Sequence, residues 1–118
     1  MRNVKIGGIE YRVMATPITL FYYKKEFHKD LISDFLPMQN METDLSTFDG
    51  MVFLQMAWAM IKTAGEKLPT LEQWIASLPY VNFEDEEMVL GIIQEAQEGF
   101  FRSGEQTQKE SKEEPKEQ

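Results

Sequence analysis

Apolar and polar residues alternate at the start of the chain, on both sides of the pair Gly7-Gly8. The segments Val4–Ile6 and Ile9–Val13 therefore predict the two strands of a β-hairpin with a two-residue turn. Such a turn pairs apolar residues on one face and opposite charges on the other: Ile6 with Ile9, Val4 with Tyr11, and Lys5 with Glu10. Because an isolated hairpin is only marginally stable in water, we expect its apolar face to pack on the helices that follow.

Helical spacing of apolar residues begins after the hairpin. Thr16-Pro17 predicts a helix start, with Thr16 as the N-cap and Pro17 at the first position, where a missing N–H costs nothing. One apolar stripe follows at helical spacing: Leu20, Tyr23, Phe27 and Leu31. We expect this helix to end near Leu36, because Pro37 disfavours helical geometry in the residue before it, and a loop to follow over Met38–Asp44.

The second predicted helix is apolar on nearly all sides. Ser46-Thr47-Phe48-Asp49 resembles a capping box with Asp in place of Glu, and Gly65 is well placed to stop the helix after about Ala64. Two apolar stripes run along it, one of Leu54, Trp58 and Ile61 and the other of Phe53, Met56 and Met60. The apolar run Met51–Ile61 is too short to span a bilayer. Such a helix must be covered on most sides, either by its own domain or by a partner.

Two further helices are predicted before the end of the apolar sequence. Thr70–Gln73 is a second capping box and opens a short helix that Pro79 ends. Asn82 is the predicted cap of the last helix, whose first turn carries carboxylates at the positive end of the helix dipole over Glu84–Glu87. Its core stripe consists of Val89, Ile92, Ile93, Ala96 and Phe100. Leu90 and Phe101 point away from that stripe, which makes them candidates for exposure.

These elements predict an α+β fold in which an N-terminal β-hairpin packs on a bundle of about four α-helices. One domain is expected over residues 1–103, since a chain of 118 residues has room for a single core. Residues 104–118 lack any large apolar side chain and mix both charges. We therefore expect a disordered C-terminal tail there.

The charge balance excludes some partners. Twenty Asp and Glu against twelve Lys and Arg give a formal net charge of −8, which disfavours nucleic acid and anionic membrane surfaces. The chain has no cysteine, so it has no disulfide, thiolate nucleophile or thiolate metal site. Because Met1–Tyr11 also lacks the apolar stretch of a signal peptide, we expect a cytoplasmic protein.

Residues that could support catalysis or metal binding are few. His28 is the sole histidine and lies off the apolar stripe of its helix, so we expect a solvent-facing side chain rather than a catalytic base or zinc ligand. The carboxylates of Glu84–Glu87 point in different directions around a helix and cannot converge on one ion. Asp44 and Asp49 are expected to be loop and cap residues. The sequence therefore predicts no enzyme, no cofactor and no metal site.

Apolar side chains are the remaining candidates for function. The eight methionines favour plain core filling, with an adaptable binding surface as the alternative, and Trp58 and Trp74 share that ambiguity. In the binding interpretation, the chain presents an apolar groove that receives amphipathic helices of a larger protein. The candidate partner-binding residues are Met51, Leu54, Trp58, Met60, Trp74, Leu90 and Phe101.

The order and size of these segments resemble the tail assembly chaperones of long-tailed bacteriophages and prophages of Gram-positive bacteria. The resemblance is carried by the hairpin Val4–Val13, the helix led by Thr16-Pro17, the apolar Met51–Ile61 helix, the helices capped at Thr70 and Asn82, and the Lys/Glu-rich tail. It implies a protein of the bacterial host cytoplasm that is not an enzyme, keeps the tape-measure protein soluble and helps recruit tail-tube subunits. It also implies that a longer frameshifted form would branch off after Gly104.

Two other classes of protein stay open. One is a structural head–tail or tail adaptor, which oligomerises and remains in the particle. A small acidic regulatory binding protein fits the net charge of −8 equally well.

Overall fold

A computed structural model of the protein describes residues 1–40 and 48–101. Within these residues a two-stranded antiparallel sheet precedes five α-helices and one short 3-10 helix. The elements are β1 (Arg2–Ile6), β2 (Ile9–Val13), α1 (Pro17–Phe27), α2 (Leu31–Phe35), the 3-10 helix Leu36–Asn40, α3 (Gly50–Thr63), α4 (Leu71–Ser77) and α5 (Glu86–Phe100). The predicted α+β class is confirmed, while the predicted tail over 104–118 lies outside the described residues.

The hairpin has the predicted register. Ile6 pairs with Ile9, and Lys5 pairs with Glu10. Both turn residues have positive φ, 63° at Gly7 and 81° at Gly8, which only glycine adopts without strain. Strand β1 packs on α5 and strand β2 packs on α3. Helices therefore cover the apolar face of the sheet, where Val4, Ile6 and Val13 are buried.

The prediction of one helix from Pro17 to Leu36 is wrong. Helix α1 ends at Phe27, and His28 adopts a left-handed conformation with φ of 60° while its N–H donates to the Lys24 carbonyl at 2.9 Å. Asp30 then starts α2, because its carboxylate accepts hydrogen bonds from the backbone N and the Oγ of Ser33 at 2.9 and 2.8 Å. Those bonds lower the pKa of Asp30.

The predicted loop over 38–44 is also partly wrong. Its first residues belong to the 3-10 helix Leu36–Asn40, which continues directly from α2. Pro37 ends the α-helical geometry as expected, but the chain tightens into 3-10 geometry rather than opening into a loop. Residues 41–44 lie outside the described residues.

Two of the three later helix starts differ from prediction. Asp49 is the N-cap of α3, accepting from the backbone N of Met51 and Val52 at 3.0 and 3.2 Å, while Ser46, the cap in the predicted capping box, lies outside the described residues. Asp85, rather than Asn82, caps α5. Thr70 is confirmed as the cap of α4, where its Oγ1 accepts from the Gln73 N–H at 3.2 Å. In both corrected cases an aspartate nearer the helix supplies the acceptor.

Helix α3 is the centre of the core. It packs against β2, α1 and α2, and its buried residues are Val52, Phe53, Leu54, Met56, Ala57, Trp58, Ala59, Met60 and Ile61. Trp58 also donates its indole N–H to the Pro69 carbonyl at 3.0 Å. The domain itself therefore covers the helix that the sequence left open to a partner.

Candidate functional site

Four of the seven candidate partner-binding residues are core residues in this structure. They are Leu54, Trp58, Met60 and Trp74, each at most 7% exposed. The first three lie on α3 under its neighbouring elements, while the Trp74 ring packs edge-on against Tyr11 and donates its indole N–H to the Tyr11 hydroxyl at 3.2 Å. The proposal that these four form a surface groove is therefore corrected.

Met51 remains at the surface, at the first turn of α3. It is 51% exposed and lies one residue after Gly50, where a Cβ would come within 3.2 Å of the Phe83 ring. Phe83 is 37% exposed and packs edge-on against Phe48 at 5.3 Å between ring centroids. This end of α3 is thus apolar and aromatic, but its aromatic rings contact one another.

Leu90 and Phe101 lie along one side of α5. With Gln94 and Gln97 between them, the spacing of four, three and four residues keeps all these side chains on that side. Phe101 continues the last turn, because its N–H donates to the Gln97 carbonyl at 3.0 Å. Leu90 is half-buried and Phe101 is 45% exposed.

The 3-10 helix forms the opposite wall of a shallow groove beside α5. This groove has a volume of about 190 Å³ and is lined by Gln39, Leu90, Ile93, Gln94 and Gln97. Residues three apart eclipse one another in a 3-10 helix, so Leu36, which is 47% exposed, lies in line with Gln39.

The end of α5 adds an aromatic contact to this side. The Phe101 ring stacks on the buried Phe35 at 5.9 Å and 24°, and Phe35 is the residue before Leu36. We call the set Leu36, Gln39, Leu90, Gln94, Gln97 and Phe101 the α5 surface.

The α5 surface is uncharged in a strongly acidic protein. Every member is either apolar or a glutamine, whereas the whole chain has a formal net charge of −8. Side-chain amides both donate and accept hydrogen bonds, so the glutamines can satisfy polar groups of either kind, although the Gln94 oxygen already accepts from the Arg2 guanidinium at 3.1 Å. The arrangement can bind an apolar segment, and it offers no group for acid, base or nucleophilic chemistry.

Glu95 is a buried carboxylate that the sequence analysis missed. It is 4% exposed and accepts hydrogen bonds from the Arg2 Nε at 2.9 Å and from the Ala15 backbone N at 3.1 Å. Arg2 also forms an ion pair with Glu98; burial alone would lower the pKa of Arg2, but its hydrogen bonds to the two carboxylates raise it. With a donor on each Glu95 oxygen, the cluster joins β1 to α5 and is structural.

A second polar cluster joins α1, α2 and α3. The Tyr23 hydroxyl donates to Asp34 at 2.6 Å, and Lys29 contacts Asp34 at 3.2 Å and the Gln55 side-chain oxygen at 2.8 Å. Burial, together with the bond to Asp34, raises the pKa of Tyr23 well above its usual range. The phenol therefore stays protonated and acts as a fixed donor.

His28, Asp44 and Asp49 are the other residues that the sequence analysis weighed for chemistry. His28 is exposed, as predicted, and Asp49 is a cap. Asp44 lies outside the described residues. Among residues 1–40 and 48–101, no three or more His, Asp or Glu side chains are grouped to hold a metal ion. No helix within those ranges has the length and apolar content needed to cross a bilayer.

The sequence predicted only some members of the α5 surface. The spacing of Leu90 and Phe101 away from the core stripe of their helix marked them as candidates, but Leu36 and Gln39 were placed at a helix end and in a loop. Only the turn at His28 and the 3-10 geometry bring them beside α5.

Comparisons of the chain with protein-family models, with curated proteins and with solved structures found no match.

Proposed function

We propose that this protein is a tail assembly chaperone-like binding protein, which acts in the bacterial host cytoplasm and holds amphipathic helices of a tape-measure protein on its α5 surface. It is not an enzyme and uses no cofactor. The observation that carries the proposal is the uncharged strip from Leu90 to Phe101 on a chain of net charge −8. The resemblance of the chain to tail assembly chaperones supplies the identity of the partner.

The dimensions of the α5 surface suit a helix. Leu90 and Phe101 are eleven residues apart along α5, which corresponds to about 16 Å at a rise of about 1.5 Å per residue. A partner helix presents apolar side chains at i, i+3 or i+4, and i+7 over a similar length. Its apolar stripe would cover Leu36 and Phe101, which are 47% and 45% exposed.

The charge distribution supports a solubilising role. A neutral binding strip repels neither acidic nor basic helices, so many segments of a long partner can use it. The acidic remainder of the domain then faces water, and its net charge opposes association between complexes. The same bound state would present the partner to tail-tube subunits during assembly.

The test is co-expression with the tape-measure protein of the phage or prophage that encodes this chain, followed by measurement of the soluble fraction of that partner. We expect the partner to be soluble with the wild-type chain and to aggregate without it. The double variant Leu90→Gln, Phe101→Gln makes the α5 surface polar while keeping good helix formers, and we expect it to lose this effect.

The matched control is the double variant Ile9→Gln, Tyr80→Gln, in which Ile9 follows the hairpin turn and Tyr80, between α4 and α5, lies beside that turn. These residues are 42% and 58% exposed, so the control removes similar apolar area from another place. It should keep the partner soluble. Equal partner solubility with and without the wild-type chain would refute the function, whereas full activity of the Leu90, Phe101 variant would refute only the site. Presence of the chain in purified virions would favour an adaptor instead.

A further inference from the structure

The outer side of α1 is a second exposed apolar surface, and it is also basic. Ile18 and Phe21 are 45% and 56% exposed, and Lys24 and Lys25 are exposed one turn further along. Residues three and four apart share one side of a helix. We call these four residues the α1 face.

The α1 face is positively charged, whereas the chain as a whole has a net negative charge. The Lys25 ammonium lies 6.0 Å from the Phe21 ring centroid, so apolar and cationic groups are adjacent there. Glu26 follows directly, but at about 100° per residue it lies about 140° around the axis from Phe21 and about 160° from Lys24, on another side of the helix. Lys24 is attracted by Asp30, whose carboxylate is already held by Ser33.

We propose that the α1 face binds an acidic amphipathic helix of a partner protein, with the apolar stripe of that helix on Phe21 and its carboxylates on Lys24 and Lys25. Charge complementarity selects this occupant, because a basic helix would meet two lysines here and would be drawn instead to the acidic remainder of the domain. The proposal is independent of the proposed function, since the α1 face and the α5 surface share no residue.

The test uses two labelled synthetic peptides of about 18 residues, or five helical turns. They share one leucine stripe and differ in carrying either glutamate or lysine at the other positions. Binding to the full chain is followed by fluorescence anisotropy. We expect the glutamate peptide to bind despite the net charge of −8, and to bind more weakly as the salt concentration rises.

Variants locate the binding. Phe21→Ser and the double variant Lys24→Glu, Lys25→Glu should each weaken the glutamate peptide at least about tenfold. Tyr80→Ser, at a residue of 58% exposure beside the hairpin turn, should leave the affinity unchanged. Circular dichroism checks that each variant is folded. We expect all of them to fold, because the substituted side chains are exposed.

The lysine peptide shows whether binding is selective for charge. We expect its affinity to be unchanged by Phe21→Ser, because it is attracted to acidic surface elsewhere. No binding of the glutamate peptide, equal binding to all variants, or the same loss for both peptides would each overturn the proposal.

Discussion

Helices α3 and α5 contrast most clearly in their surroundings. Nine residues of α3 are buried, including Trp58 and Met60, and β2, α1 and α2 pack around it. Helix α5 packs on β1 and leaves Leu90 half-buried and Phe101 45% exposed. The sequence offered candidate partner-binding residues on or next to both helices. Their difference teaches that the neighbours of a helix, rather than its own apolar content, decide whether its apolar side chains can reach another protein.

The largest expected effect tests whether Trp58 is a core residue. Trp58→Ala removes a side chain that is 4% exposed and loses its hydrogen bond to Pro69, so we expect the free energy of unfolding to fall by about 3–5 kcal/mol. Phe101→Ala loses a partly exposed stacking contact with Phe35, and should cost about 1 kcal/mol. Urea denaturation of both variants measures the difference. Similar losses would break the contrast between the two helices.

Helix α5 is nevertheless tightly fixed on its inner side, and Gly99→Ala tests this. Helix propensity alone would favour alanine by about 1 kcal/mol. However, a Cβ at Gly99 would overlap the Ala15 carbonyl oxygen, and we expect a net loss of about 1–3 kcal/mol. At Gly91 a Cβ would lie 3.0 Å from the buried Val4 side chain, a milder overlap that the better helix propensity of alanine can offset, so Gly91→Ala should be close to neutral. A stabilised Gly99→Ala protein would show that this end of α5 is loosely held.

Local sequence signals predicted local structure well. The Gly7-Gly8 turn fixes the pairing of Ile6 with Ile9 through short-range geometry, and Thr70 caps α4 with its own hydroxyl. The break at His28 was missed, because the stripe that includes Leu31 continues at helical spacing across it. The Asp30 cap with Ser33 three residues later was the signal for a new helix start.

Interactions between distant residues could not be predicted. Glu95 is paired with Arg2, 93 residues away in the sequence, and a buried glutamate without its partner would be implausible. The coverage of α3 likewise depends on where β2 and α1 pack. For the α5 surface, sequence spacing identified Leu90 and Phe101. The spacing of apolar residues does not predict the 3-10 helix that completes the groove.

The N-caps of α3 and α5 give a further comparison of these two helices, with a smaller expected effect on the free energy of unfolding. Asp49 and Asp85 each accept from two backbone N–H groups. The first turn of α5 also carries Glu86 and Glu87, whereas the first turn of α3 has no acidic residue. We therefore expect Asp49→Ala to cost about 1–2 kcal/mol and Asp85→Ala about 0.5–1 kcal/mol, since the remaining carboxylates still complement the dipole of α5. Urea denaturation that gave the reverse order would contradict this account.

The smallest expected effect concerns the end of α1, the helix that covers α3. His28 ends α1 with φ of 60°, and Gly65 follows α3 with φ of 99°. Glycine adopts positive φ without strain, so His28→Gly should raise the free energy of unfolding by about 0.5–1 kcal/mol, after allowance for the greater freedom of glycine in the unfolded chain. Gly65→Ala is the opposite change at a site where a Cβ would meet nothing within 4 Å, and it should cost about 1 kcal/mol. Thermal unfolding followed by circular dichroism measures both. Because the His28 side chain is exposed, its removal leaves the packing of α1 on α3 intact, and a destabilised His28→Gly protein would mean that the imidazole itself holds this turn.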